Sequence, residues 1–147
     1  MELQHPDDLH VPQYDPLHGS ALHLLIRRFA VCSSSLPLPF DWDGEALLVA
    51  TPANSPTGRN LAAGRTARLT LGHTRDVTVI DGEVEVLAID ALPGPGGDRF
   101  AARTGFDPRE LATPYRWFRI TPRRVQAWRE ADELAGRELM RDGRWLV

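Results

Sequence analysis

The sequence predicts a small, mainly β barrel of antiparallel strands with short interposed helices. Five or six short runs of β-branched and aliphatic residues alternate with Gly, Pro and Asp-Gly punctuation, and helical signals are confined to brief segments between them. A length of 147 residues is that of one domain, enough to bury roughly two-thirds of the unfolded chain's surface. A barrel is preferred to a sandwich because closure hides strand edges that would otherwise pair with other chains.

Residues 1–20 are polar, rich in His, Asp and Pro, and lack an apolar period, so they read as an extended or poorly ordered arm ahead of a single domain over residues 21–147. Ala21 to Val31 fits a short helix with Leu22, Leu25, Ile26 and Phe29 on one face, while Phe29 to Cys32 equally fits the start of a strand. Leu36 to Trp42 and Glu45 to Thr51 read as two strands joined by Asp43-Gly44, since Asp-Gly supplies the positive φ of a hairpin turn. Ser55 then offers an N-cap hydroxyl and Pro56 the first helical position, with Gly64 as the stop, which predicts a helix from Pro56 to about Ala63.

Thr66 to Leu71 and Val77 to Leu87 suit paired strands around Gly72 to Asp76, with a bend at Gly82. Pro93 to Gly97 reads as a loop and Asp98 to Thr104 as a short helix ended by Gly105. Tyr115 to Ile120 and Val125 to Trp128 read as strands flanking a turn over Thr121 to Arg124. Glu130 to Arg141 is read as helical or irregular, and Asp142-Gly143 as a final turn before Trp145.

Charge limits the function classes. The net charge is −3 and basic residues are dispersed, which argues against a nucleic-acid partner. All 17 basic residues are Arg, so any cation a ligand meets is a guanidinium, permanently charged and suited to phosphate or carboxylate. The single Cys32 excludes an internal disulfide and, with the absence of a long apolar run, points to a cytoplasmic protein with no membrane role. It has no spaced His and acidic partners of the kind that activate a nucleophile. His5, His10, His18 and His23 with Asp7, Asp8 and Asp15 fall mostly in the arm, without the rigid frame a metal needs, so no metal site is expected.

The stretch from Thr51 to Leu61 carries the strongest chemical signal. Free N–H groups at a helix start, the positive end of its dipole, and the hydroxyls of Ser55 and Thr57 together favour a phosphate, with Arg59 adding charge. The same residues also fit a plain N-cap and a solvated arginine. Arg75 and Arg116 flank strand ends and are candidate phosphate partners, or surface arginines. Trp128, at a strand end, suits packing on a cofactor ring, in the core or on a second subunit.

Several segments in order resemble the flavin-binding split β-barrel superfamily typified by pyridoxamine-phosphate oxidase, especially its short flavin- or deazaflavin-dependent oxidoreductase branch. They are Leu38 to Gly44 with the strand Ala46 to Thr51, Ser55 to Leu61 with its Ser-x-x-x-Arg-Asn-Leu pattern, Ala67 to Leu71, and Phe118 to Trp128. The tail from Trp128 to Trp145 resembles a bacterial subgroup whose members mostly lack an assigned reaction. The resemblance implies a six-stranded split β-barrel with short helices, the FMN-binding split barrel, forming a homodimer with FMN, or alternatively a deazaflavin coenzyme, at the subunit interface. It implies that the phosphate or ribityl chain meets Thr51 and Ser55; with the candidates Thr57, Arg59, Asn60, Arg75, Arg116 and Trp128 these make up the expected cofactor set. The chain departs from the pattern at Pro56 and Thr57, where relatives often carry basic residues, and at Phe29 to Leu36, where relatives have a first hairpin.

The function so implied is an oxidoreductase acting on a small molecule that the sequence does not identify, with no catalytic side chain named. The alternatives are a protein that holds or sequesters the cofactor without turnover, and a barrel without ligand that serves as a dimeric module.

Overall fold

The computed structural model describes residues 22–25, 35–73, 76–129 and 134–147. Its strands are β1 (Leu22–Leu25), β2 (Ser35–Leu38), β3 (Phe40–Trp42), β4 (Leu47–Pro52), β5 (Thr66–His73), β6 (Asp76–Ala88), β7 (Tyr115–Trp128), β8 (Glu138–Arg141) and β9 (Arg144–Trp145). Helix α1 (Pro56–Gly64) joins β4 to β5; helix α2 (Gly94–Thr104) and a 3-10 turn (Pro108–Glu110) join β6 to β7. All pairings are antiparallel, in the order β2-β1-β5-β6-β7-β4-β3, with β8 and β9 extending from β7.

β2 and β3 are one extended segment divided at Pro39. The first half pairs with β1, Leu38 opposite Leu22, and the second with β4, Phe40 opposite Val49. Proline has no N–H to donate, so the ladder can change partners there. Counted as one strand, the divided segment closes six strands into the split β-barrel that the sequence predicts.

Alternation along the strands sorts side chains to two faces. Leu47 and Val49 of β4 meet Ile120 and Phe118 of β7 in register, and Leu69 of β5 meets Ile80 of β6; with Leu71, Val84 and Val125 they fill the barrel. Leu61 of α1, fully buried, plugs one end. The opposite face of β4 packs Leu48 and Ala50 beside Trp117 under Phe100 of α2. The Phe100 and Trp117 rings meet edge-on at 5.0 Å, and Trp117 donates its indole N–H to the Ile89 carbonyl at 3.0 Å. Burial on both faces is why Leu47 to Ala50 reads as an unbroken apolar run.

One buried charge ties these layers together. Asp41 of β3 is 0% exposed; one carboxylate oxygen accepts from Nε of Arg99 at 2.6 Å, and the other lies 3.3 Å from Nε of Arg103. The two arginines stand four residues apart on α2, on one helical face, so a single carboxylate holds that helix against the barrel.

Several expectations change. Within Ala21 to Val31, Leu22–Leu25 is a strand rather than a helix, held between β2 and β5; residues 1–21 and 26–34, which include the proposed arm, lie outside the described residues. Gly64 remains helical and the left-handed cap is Arg65 at φ 55°, fixed by its N–H to the Leu61 carbonyl and by its own carbonyl accepting from Val84 at 2.8 Å. Helix α2 begins at Gly94 instead of Asp98, because Pro95 sits in a first turn where its missing N–H costs nothing.

The turn expected over Thr121 to Arg124 is a bulge inside one continuous strand. Asp81 lies opposite Arg124 and Gly82 opposite Pro122, leaving Arg123 as the extra residue. Gly82 marks the bend as expected. A Cβ there would stand 2.7 Å from Cγ2 of Ile120 and 2.8 Å from the Thr121 carbonyl oxygen. Glu138–Arg141, read as helical or irregular, is strand β8, and the Asp142-Gly143 turn, at φ 51° and 76°, joins it to β9. Among the described residues no helix is long and apolar enough to cross a membrane.

The Asp43-Gly44 turn forms as predicted, with Gly44 at φ 98°. One Asp43 oxygen accepts from the backbone N–H groups of Glu45 and Ala46 at 2.8 and 2.7 Å, and the other from Arg119 at 3.2 Å. Burial raises the pKa of this carboxyl, but the two backbone hydrogen bonds and Arg119 together outweigh it and hold the group below the usual carboxylate range.

A lowered folded-state pKa stabilises the protein above the unfolded value, about 3.9, and that contribution disappears as pH falls through the folded value. Asp43→Ala is expected to lower stability by about 1–2 kcal/mol at neutral pH, with the gap to the unmodified protein narrowing below about pH 4, as read from urea unfolding across pH. Gly82→Ala is expected to cost about 1–3 kcal/mol by overpacking. Gly64→Ala, where a Cβ meets nothing within 4 Å, is expected to be neutral or to stabilise by up to about 1 kcal/mol in the same assay.

Candidate functional site

β4 delivers Thr51 to the barrel end that α1 plugs. Thr51 shares the inward face with Leu47 and Val49 and is 2% exposed. A two-residue turn, Ala53 and Asn54, follows before Ser55 caps α1. The Ser55 hydroxyl accepts from the Gly58 N–H at 3.0 Å and donates to the Pro52 carbonyl at 2.8 Å, so at 3.3 Å the Thr51 hydroxyl is the donor to it.

This cap absorbs most of the polar groups that the helix start would otherwise present. Pro56 has no N–H, Gly58 gives its own to Ser55, and Arg59 gives its own to the Ser55 carbonyl at 3.0 Å. Thr57 is left. It is 6% exposed, and neither its N–H nor its hydroxyl has a hydrogen-bond partner among the described residues. The Arg59 guanidinium folds back onto the Asn54 carbonyl, and Asn60 is half-buried on the following turn.

Arg116 completes this end. It is directly opposite Thr51 in the β4–β7 register and opposite Ala88 in the β6–β7 register. Nine of the described arginines, among them Arg68, Arg99 and Arg119, sit within 3.8 Å of a carboxylate oxygen. Arg116 has no carboxylate partner among the described residues, so no acid engages its charge at the register position opposite Thr51.

Of the predicted set, Thr51, Ser55, Thr57, Arg59, Asn60 and Arg116 therefore share one end of the barrel. Arg75 lies outside the described residues. Trp128 is at the far end of β7, with the Arg137 guanidinium 5.6 Å from its ring centroid, on the wall of a cavity of about 450 Å³. Sequence reasoning missed that cavity, although each Asp-Gly turn has a tryptophan within two residues, Trp42 and Trp145, and both line it. It also missed Gly58, where a Cβ would collide with the Pro52 carbonyl that the Ser55 hydroxyl needs.

Gly58→Ala should forfeit the ordinary helix-propensity gain of about 1 kcal/mol and net-destabilise the protein by at least about 1 kcal/mol, measured by thermal or urea unfolding.

No protein-family model matches the sequence, and no curated protein matches it. Solved structures do. The chain superposes on an F420 reductase with TM-score 0.56 at 18% identity, covering 71% of this chain and 87% of that one. It superposes on PhzG from Burkholderia lata 383, in complex with tetrahydrophenazine-1-carboxylic acid, with TM-score 0.52 at 18% identity over 78% and 72% of the two chains. A pyridoxamine 5'-phosphate oxidase-related, FMN binding protein from Nostoc punctiforme PCC 73102 gives TM-score 0.50 at 14% identity over 72% of each. At these identities the likeness is one of fold: the chain has the split β-barrel fold shared by pyridoxamine 5'-phosphate oxidase-like flavin-binding proteins.

Proposed function

We propose that the β4–α1 junction holds the phosphate of a flavin-type cofactor, FMN or a deazaflavin coenzyme, at a homodimer interface, and that the protein is an oxidoreductase. The observation that carries this reading is Arg116, a guanidinium without a carboxylate partner among the described residues, set opposite the buried Thr51. The free hydroxyl and N–H of Thr57 supply the neutral donors that a phosphate oxygen takes beside a guanidinium. These groups fit a phosphate. They are fewer than a full helix start offers, because Pro56 and the Ser55 cap remove the others.

When bound, such a cofactor supplies hydride or electron transfer. The chain's own part is to neutralise the phosphate with Arg116, to orient it through Thr57, and to keep water from the barrel with Leu61 beneath. The alternative of holding the cofactor without turnover draws on the character of the cradle. Its side chains are hydroxyl, amide and guanidinium groups, and none is a carboxylate, imidazole or thiol able to exchange a proton near neutral pH.

Titration of the purified protein with FMN and with a deazaflavin coenzyme, followed by cofactor fluorescence, tests the reading. Arg116→Ala is expected to weaken binding about 10- to 150-fold, the worth of a charge-assisted hydrogen bond, and Thr57→Val about 2- to 10-fold. No affinity for either cofactor, or affinity unchanged in Arg116→Ala, refutes it. Reduction of bound cofactor by a nicotinamide donor separates turnover from holding.

A further inference from the structure

At the barrel end away from α1 no described residue plugs the interior. It opens into a cavity of about 450 Å³ walled by Trp42, Trp128 and Trp145 with Leu71, Ile80 and Leu139. The three indoles come from three separate elements, the ends of β3 and β7 and the terminal strand β9. The charged groups on its wall, Asp76 and Arg129, face each other, with Arg129 Nε 3.8 Å from an Asp76 carboxylate oxygen, and so offset one another. The lining is therefore mostly aromatic and aliphatic, its own two charges offset, with the Arg137 guanidinium held on the Trp128 ring and outside the lining.

Size and chemistry select the occupant. The volume falls within the range of small-molecule pockets, about 300–1,000 Å³. The surface of the lining is far below the roughly 800 Å² that each side of a stable protein interface buries, so the concavity suits a small molecule better than a second protein surface. An ionic ligand would surrender its hydration and would have to compete with the Asp76–Arg129 ion pair for a charge on the lining. Flat aromatic rings gain offset or edge contacts with indoles.

We infer that this cavity binds an uncharged, planar aromatic molecule of two or three rings, stacked among Trp42, Trp128 and Trp145. The site is separate from the β4–α1 cradle, which lies at the other end of the barrel.

The test uses the full chain and the uncharged probe N-phenyl-1-naphthylamine, followed by energy transfer from tryptophan. The expected result is saturable binding of one probe per chain, tighter than that of its anionic sulfonate analogue. Ala127→Phe, which fills the cavity, and Trp145→Ala, which removes an exposed wall with little consequence for folding, should each weaken binding roughly tenfold or more. Arg116→Ala should leave probe binding unchanged, so that failure of the cradle and failure of the cavity are distinguished. Three results overturn the inference: no saturable binding, binding unaffected by both cavity variants in folded protein, or binding lost as rising protein concentration drives association, which would make the cavity an interface between copies of the chain.

Discussion

Pro39 divides one extended segment between two neighbours, and the barrel depends on that division. Without it β2 would continue along β1, or β3 along β4, and one edge of the sheet would stay open. Two residues later Asp41 is buried under α2 by Arg99 and Arg103, so the segment that closes the barrel also anchors the helix covering its outer face. β4, next in the sheet, is thereby buried on both sides, and its course toward Thr51 and α1 is set by packing from within and without. The geometry of the cradle follows from closure rather than from the loop that carries Ser55.

β7 joins the two ends of the molecule. It begins beside Thr51 with Arg116 and ends at Trp128, and a straight strand of that length could not stay on a small barrel. The bulge at Arg123 supplies the bend, and the missing side chain at Gly82 lets the two backbones approach where it forms. At one end the interior is stoppered by Leu61, beside hydroxyls and a guanidinium; at the other no described residue stops it and indoles line it. One barrel thus has two chemically opposed ends.

Most of the architecture was legible where local chemistry and tertiary packing agree. The Asp43-Gly44 and Asp142-Gly143 turns, the Ser55 cap with Pro56, and the Gly105 stop all form where their residues predict. Legibility failed where a local signal had two outcomes. Pro122 reads as a turn, yet a bulge tolerates proline too, and only the partner Gly82 decides between them. Glu130 to Arg141 reads as helical or irregular because no apolar alternation marks it, but Met140 is buried opposite Val125 and fixes Glu138–Arg141 as a strand. In the candidate site, Ser55 and Thr57 were legible from the capping pattern. The engagement of Arg59 by the Asn54 carbonyl was not, since a side chain's choice between ligand and local carbonyl leaves no mark on spacing.

The exclusive use of arginine gives these outcomes a common logic. Most of the described guanidiniums lace strands and turns to carboxylates: Arg68 to Asp81 through two hydrogen bonds, Arg123 to Glu83 across the bulge, Arg109 to both Asp98 and Asp107. Glu138 shows the same effect from the acid's side, its carboxyl held below the usual range by hydrogen bonds from Arg141 and then Arg124 in spite of burial. An arginine so engaged recruits a ligand only by giving up a partner it already has, and an exposed pair of this kind adds little stability in return. Arg116 carries no such cost, because no described carboxylate competes for it and its register opposite Thr51 holds it beside buried hydroxyls. What marks the cradle is therefore a guanidinium with no carboxylate partner among the described residues, set opposite a buried threonine, rather than an abundance of base, and a sequence counted for positive charge alone does not reveal it.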